Sequence, residues 1–263
     1  MPKLSERLAE MPSMRNPPYR PVIAASAEDR RLLEERIGGV QNYNPQTLRR
    51  LVAADPANIE LRKALVSSIV SAEFAGIDAF GRKVCEWQDW PVPWELILAM
   101  ARQTWDEVRH AQLGVGLLEA YGGRLGEYPD TLAGQGQVVP AEQQRQALGD
   151  DPADPIVSLS SVNVSLEGFA LALFRATSEL GRRIGDRLLE HCYDYNWADE
   201  VTHTAIGDWF IKWLCRDNPE QERRALRVHA RAEMMRGMLT PEQVEEIRRF
   251  FAEEEQRAEA ALG

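Results

Sequence analysis

A nine-residue motif occurs twice in this chain and constrains its fold more than any other feature. The copies are Asp-Glu-Val-Arg-His-Ala-Gln-Leu-Gly at 106–114 and Asp-Glu-Val-Thr-His-Thr-Ala-Ile-Gly at 199–207, and they agree at five of nine positions. In each copy a Glu precedes a His by three residues, so on a helix the two side chains share one face about one turn apart. A helix can present a carboxylate and an imidazole to one metal ion in this way. The repeat therefore predicts two metal-binding helices, one carrying Glu107 and His110, the other Glu200 and His203.

The composition is that of an ordinary soluble globular protein, and it limits the classes of partner. The 263 residues carry a formal net charge of −10, with 27% charged and 44% hydrophobic residues. An acidic chain disfavours a nucleic-acid partner, because phosphate binding needs basic side chains. The N-terminus lacks the apolar segment of a signal peptide, and no uninterrupted apolar run reaches the ~20 residues of a membrane helix. Three scattered cysteines without a CxxC pair fit a reducing compartment, so we expect a cytoplasmic protein without membrane contact.

Two further glutamates lie within apolar stripes of predicted helices. Asp55-Pro56 resembles a helix start and predicts a helix to about Glu86 that carries Glu73 on its apolar face. A mostly apolar helix beginning near Val162 carries Glu167 and ends near Gly181–Gly185. The first motif lies on a helix from Pro93 to Gly122, and the second on one that ends at 217–219. Other helices are predicted at 26–37, after Asn44-Pro45, at 141–147, across 223–231, and from the capping box at Thr240-Pro241.

The spacing of the four glutamates predicts two matching helical hairpins. Glu73 and Glu107 are 34 residues apart, and Glu167 and Glu200 are 33 apart. Two antiparallel legs of roughly 15 residues, rising ~1.5 Å per residue, bring each pair to equal depth. The much longer connection at 124–157 carries the chain back along the bundle, as in bundles with one long crossover. We therefore predict an all-α fold with an N-terminal arm (1–54), a four-helix bundle (55–217) and extra C-terminal helices (218–263).

The predicted bundle fills every position of a two-metal carboxylate site. Such sites take one Glu from each of two helices and a Glu-x-x-His pair from each of the other two. Buried carboxylates left unpaired would each cost several kcal/mol, a cost that two divalent cations remove. The predicted ligands, which would also be the catalytic residues, are Glu73, Glu107, His110, Glu167, Glu200 and His203.

These six residues resemble the site of the ferritin-like di-iron carboxylate superfamily over roughly residues 57–216. The superfamily includes bacterial di-iron oxygenase subunits, ribonucleotide reductase small subunits, rubrerythrins, ferritins and tRNA-hydroxylating relatives. The resemblance implies two iron ions, with Mn/Fe as the other pairing. It also implies an O2-dependent oxygenase or oxidase that acts on a small organic substrate and takes electrons from an external donor. The oligomeric state stays open, with a homodimer as one option.

Departures from the family pattern narrow the choice, because they disfavour a radical-generating subunit and a rubrerythrin. Gly114 stands where the reductase subunits carry a radical tyrosine, and the chain lacks the Cys-rich domain of rubrerythrins. One alternative is a ferroxidase, peroxidase or iron-handling protein without an organic substrate. Another is a metal that only holds the bundle together.

Several neighbours of the ligands have predicted supporting roles. Asp106 and Asp199 are expected to accept the second ring N–H of a metal-bound His, each serving the His of the other repeat. Gln103 and Asn163, one turn before Glu107 and Glu167, are candidates for polar contacts with the site or the substrate.

Two glycines and two tyrosines near the motifs leave alternatives open. Gly114 and Gly207, each one turn after a motif His, either leave room for O2 or substrate or allow close helix packing. Tyr193 and Tyr195 are either core residues, which is the simpler interpretation, or groups with a redox or substrate role.

Overall fold

The computed structural model describes residues 27–39, 43–128 and 141–235, together with isolated positions between 242 and 256. Every regular element in this part of the chain is a helix and none is a strand, which confirms the all-α prediction. The predicted arm at 1–25 and the capping box at 240–241 lie outside the described residues. The helices are α1 (Ala27–Ile37), α2 (Pro45–Ala54), α3 (Ile59–Glu86), α4 (Trp94–Ala120), α5 (Ala141–Leu148), α6 (Pro155–Ser158), α7 (Glu167–Ile184), α8 (Arg187–Cys215) and α9 (Pro219–Met235).

Most helix boundaries match the predictions closely, but two predicted helix starts are wrong. Asp55-Pro56 does not begin α3, because the backbone N–H of Asp55 donates to the Leu51 carbonyl and so closes α2. Asn58 caps α3 instead, with its side-chain oxygen accepting from the backbone N–H of Glu60 at 3.1 Å. Both Asp and Asn are good N-cap residues, so the residue type alone could not distinguish the two starts.

The apolar helix predicted to begin near Val162 begins earlier, because Asp154 caps α6 at Pro155, and it is not a continuous α-helix. Residues Leu159–Leu166 form a π-helix that joins α6 to α7, and Glu167 is the first residue of α7. π-helical segments are rare and occur frequently at functional sites.

The described residues fall into two compact units. The first takes those of 1–139 and 169–202, and the second takes those of 140–168 and 203–263. The predicted domain boundaries at 54 and 217 stay a prediction.

In the first unit α3 and α4 form an antiparallel hairpin. Gly81 faces Thr104, Gly76 faces Glu107 and Gly114 faces Val70, so positions rise along one helix as they fall along the other. The turn between them begins with a 3₁₀ segment, Trp87–Asp89, whose Trp87 side chain is fully buried. The hairpin core includes Leu65, Val66, Ile69, Leu117 and Leu118, with Leu173, Phe174 and Leu180 of α7 and Leu189 of α8.

Asp186 joins the ends of three helices in the first unit. Its carboxylate accepts from Tyr121 Oη at 2.6 Å, from Arg62 Nη1 at 2.8 Å and from the backbone N–H of Leu189 at 3.1 Å. Burial opposes ionisation of this carboxyl, but the three donors and the Arg62 charge together lower the pKa of Asp186. These contacts fix the start of α8 against α3 and α4, and therefore set the depth at which α8 presents its motif.

In the second unit α9 packs on the π-helix and on α5 and α6. Its apolar contacts include Leu148, Val157, Val228 and Ala232. Arg224 donates to both carboxylate oxygens of Asp150, at 2.6 and 2.7 Å.

Two helical stretches, Ile59–Asp89 and Pro155–Ile184, have the length and composition of a membrane span. However, 67% and 56% of their most apolar windows are buried inside the protein, as in the core helices of a soluble protein. The sequence-based expectation of no membrane contact stays a prediction.

Candidate metal centre

Three predicted ligands meet in the core of the first unit. Glu73 of α3 and Glu107 and His110 of α4 are buried, and one ligand atom from each lies within 4.8 Å of the others. His110 Nδ1 is 3.2 Å from Glu73 Oε2 and 3.7 Å from Glu107 Oε2. Buried oxygen and imidazole donors at this spacing can hold a divalent transition-metal ion.

The second motif contributes to the same group through α8. Glu200 Oε1 lies 3.6 Å from His110 Nδ1, and Asp199 Oδ2 lies 3.2 Å from His110 Nε2. His110 thus turns Nδ1 toward three glutamates and Nε2 toward Asp199. This is the cross-repeat placement that the sequence predicted for Asp199, and such a carboxylate sets the tautomer and ring orientation of a ligating His.

Glu167 and His203, the remaining predicted ligands, are also buried. Ligand atoms of Glu107, Glu167, Glu200 and His203 lie within 4.8 Å of one another. Glu107 belongs to both groups, and Glu200 and His203 lie one turn apart on α8. The buried carboxylate–histidine cluster can therefore hold a metal ion.

The electrostatics of the first group favour a cation. Burial of the His110 ring opposes its protonation, but the hydrogen bonds and charges of Glu107 and Glu73 outweigh burial and raise the pKa of His110 to about 12. The surrounding carboxylates thus keep the ring protonated at pH values far above its ordinary pKa. A metal ion bound at Nδ1 would replace that proton, and its positive charge would balance the same carboxylate charges.

A glycine that the sequence analysis overlooked lies directly against one ligand. A Cβ built on Gly76 of α3 would lie 2.8 Å from Glu107 Oε2 and 2.9 Å from Glu107 Cδ. The Glu107 carboxylate therefore occupies the space that a side chain at position 76 would take. The available signal was a helix-interior glycine three residues after Glu73, on the same face.

Arg109, at one of the four positions where the motif copies differ, links the two copies. Its guanidinium donates to Asp106, to Asp199 Oδ2 at 3.0 Å and to the Tyr195 hydroxyl. Arg102 adds a second cation 3.3 Å from Asp106. Asp106 and Asp199 are therefore held by arginines at the edge of the site, and the second motif has Thr202 at the corresponding position.

The structure decides between the alternatives for the two motif glycines. A Cβ on Gly114 would overlap Val70 Cγ2, and one on Gly207 would lie 2.8 Å from Asn163 Cβ and 2.9 Å from Val164 Cγ2. Both glycines therefore allow close helix packing, and neither leaves open space at that position.

The two polar candidates are buried, whereas the two tyrosines differ in their exposure. The Asn163 amide donates to the backbone carbonyl of His203 at 3.4 Å, and Gln103 is buried. Tyr193 is a buried core residue, as the simpler interpretation expected. That interpretation is wrong for Tyr195, which is 45% exposed and whose hydroxyl accepts from Arg109.

No protein-family model, no curated protein and no solved structure matches this chain.

Proposed function

We propose that the chain is an O2-dependent non-haem di-iron oxidoreductase, an oxygenase or oxidase acting on a small organic substrate within a ferritin-like bundle. The observation that carries the proposal is the buried set of four glutamates and two histidines, of which Glu107 belongs to two candidate ligand groups. Two reduced iron ions, when bound, supply the electrons that activate O2.

Each ligand group has a defined task in this proposal. Glu73, Glu107 and His110 hold one ion. Glu167, Glu200 and His203 hold the other. The donor set contains oxygen and imidazole but no thiolate, which suits iron or manganese and disfavours a structural zinc of the finger type. The pair is Fe/Fe, with Mn/Fe as the other composition.

The surrounding residues orient the ligands and limit the access of water. Asp199 accepts from His110 Nε2, so that Nδ1 is the nitrogen available to a metal. Phe174 lies edge-on to the His110 ring with 6.4 Å between ring centroids, and Val70 fills the space over Gly114. This apolar wall keeps bulk water away from His110 on that side, which strengthens the electrostatic interactions inside.

An external electron donor has a candidate approach at Tyr195. From His110 a chain of polar contacts runs through Asp199 and Arg109 to the Tyr195 hydroxyl. A surface cavity of about 390 Å³ opens beside it, lined by Arg109, Gln112, Leu113 and Tyr195. The test is anaerobic reduction of the oxidised, iron-loaded protein by dithionite. Tyr195→Phe removes one contact of the route and should slow this reduction, and an unchanged rate would argue against the route.

A second candidate is a ferroxidase, peroxidase or iron-handling protein without an organic substrate. The close packing at Gly114 and Gly207 favours it, because both positions that could have left room for substrate are filled. This candidate consumes Fe(II) and O2 or peroxide without an organic co-substrate.

Anaerobic reconstitution with Fe(II), followed by admission of O2, tests the first proposal against the second. Two irons per chain, a transient visible absorbance and O2 uptake that increases with an organic substrate support the oxygenase. Uptake proportional to Fe(II) alone supports the ferroxidase. Zinc binding only, or no response to O2, contradicts both. Glu167→Ala should lose one ion and all turnover, whereas Glu179→Ala, at an exposed position of α7, should keep both.

The remaining expectations about partners and location are part of the same proposal. A cytoplasmic protein without a nucleic-acid partner fits the net charge of −10. A homodimer stays one option for its oligomeric state.

A further inference from the structure

Gly76 lies on the face of α3 that carries Glu73, three residues further along the helix. The three heavy atoms nearest to a Cβ built there all belong to the side chain of Glu107: Oε2 at 2.8 Å, Cδ at 2.9 Å and Cγ at 3.1 Å. Separations below 3.0 Å are not found for real Cβ atoms. Any other residue at position 76 therefore requires the Glu107 carboxylate to move.

The identity of these atoms separates this glycine from one used for helix packing. At Gly114 the nearest atoms belong to an apolar side chain, Val70, and at Gly181 they belong to the backbone of Asp186 and Glu190. At Gly76 they belong to the carboxylate end of one ligand. The space at Gly76 therefore accommodates a metal-binding group.

We propose that Gly76 is a positioning residue for the metal centre: its missing side chain lets the Glu107 carboxylate lie against α3, beside Glu73, where both ligand groups can use it. The inference rests on the metal binding in the proposed function. Glu107 projects from α4, and without a Cβ at 76 it reaches across to α3, where it lies close to Glu73 and His110. A methyl group at 76 pushes the carboxylate back toward α4 and out of the shared position.

The same helix supplies a matched control. Gly81 is also an interior glycine of α3, but a Cβ there meets only Thr104 Cγ2, at 3.5 Å, which is an ordinary van der Waals distance. Gly76→Ala and Gly81→Ala therefore make the same chemical change and gain the same helix propensity. They differ in which neighbour the new methyl group meets.

The experiment compares wild type, Gly76→Ala and Gly81→Ala in two measurements. The first is thermal unfolding of the metal-free proteins by circular dichroism. The second is anaerobic titration with Mn(II) and Fe(II), followed for stoichiometry and affinity. The group that must move is the flexible end of the Glu107 side chain. The melting temperature of metal-free Gly76→Ala should therefore be no lower than that of wild type. Its affinity should fall by about 10- to 100-fold, the loss typical when a residue supporting a metal ligand is changed. Gly81→Ala should bind as wild type does.

Three results would contradict either the role of Gly76 or the proposed function. If Gly76→Ala binds two ions with wild-type affinity, the inference is wrong and the proposed function stands. If metal-free Gly76→Ala melts below wild type or does not fold, the space serves packing and the inference is also wrong. If wild type and Gly81→Ala bind no metal, the proposed function itself fails.

Discussion

Replacing Gly114 by alanine tests whether the space one turn beyond His110 is filled. Gly114 lies in the interior of α4, and alanine in a helix interior is favoured over glycine by about 1 kcal/mol. The new methyl group, however, would overlap Val70 Cγ2, and overpacking a core typically costs about 1–3 kcal/mol. The expected net effect of Gly114→Ala is therefore a loss of roughly 0–2 kcal/mol in the free energy of unfolding.

Gly116 provides the comparison that isolates the packing contribution. It lies on the same helix, and no described heavy atom lies within 4 Å of a Cβ built on it. Gly116→Ala should gain about 1 kcal/mol from helix propensity without a packing cost. The two variants should thus differ by about 1–3 kcal/mol, the cost of the overlap with Val70.

A double-mutant cycle with Val70 assigns that difference to one contact. Val70→Ala removes the overlapping methyl groups, so it should destabilise Gly114→Ala less than it destabilises wild type. Coupling between contacting residues is typically about 0.5–3 kcal/mol. The measurement is urea unfolding of the metal-free proteins by circular dichroism. If Gly114→Ala is as stable as Gly116→Ala and shows no coupling to Val70, the packing argument is refuted and this space is open to O2 or substrate.

Three further predictions concern the metal centre and the fold. Asp199→Asn should weaken metal binding by about 10- to 100-fold in an anaerobic Mn(II) titration, because the carboxylate no longer holds the His110 ring. Chelation should lower the melting temperature of the metal-loaded protein, since a ligand at 100 times its Kd stabilises a fold by about 2.7 kcal/mol. Asp186→Asn should destabilise the protein at neutral pH. The difference in the free energy of unfolding between this variant and wild type should disappear on acidification, because the folded state lowers the pKa of Asp186. The stability that the ionised Asp186 contributes is complete above the unfolded-state pKa of about 3.9. It is lost as the pH falls through the folded-state pKa.

Each of these predictions has its own check. Asp208→Asn changes an exposed carboxylate on the same helix as Asp199 and should leave metal affinity unchanged. Equal losses in the two variants would mean that the effect reflects overall charge. A melting temperature insensitive to chelator would mean that the protein holds no stabilising metal. If the difference in the free energy of unfolding between wild type and Asp186→Asn persists at pH 2, the stabilisation by Asp186 does not depend on its ionisation.

The helices and the depth of the ligands were predictable because local signals agreed with the repeat. Residues at helical spacing, the caps at Asn44-Pro45 and the break at Pro93 specify where helices begin, and the Glu-x-x-His pairs specify which face turns inward. Asp199 was predictable for a similar reason, since a ligating His needs an acceptor for its second N–H. The start of α3 was not predictable, because Asp55 and Asn58 are equally good caps and tertiary packing decides between them.

Features that depend on contacts between helices could not be predicted from the sequence. Whether Gly114 left a cavity or allowed close packing depended on where Val70 pointed across the α3–α4 interface. The role of Gly76 depended on the Glu107 rotamer. The all-α class and the buried carboxylate–histidine cluster therefore follow from sequence pattern, while the fine geometry follows from packing.

The π-helix before Glu167 has a consequence for how the chain tolerates insertions and deletions. A π-helical segment holds one residue more than an α-helix that joins the same two ends, so Leu159–Leu166 contains a residue that can be lost while the backbone returns to i→i+4 bonding. The same deletion between Glu107 and His110 would rotate one ligand by about 100° around α4 relative to the other. Changes in chain length should therefore accumulate at 159–166 in related sequences, while the spacing within each Glu-x-x-His motif stays constant.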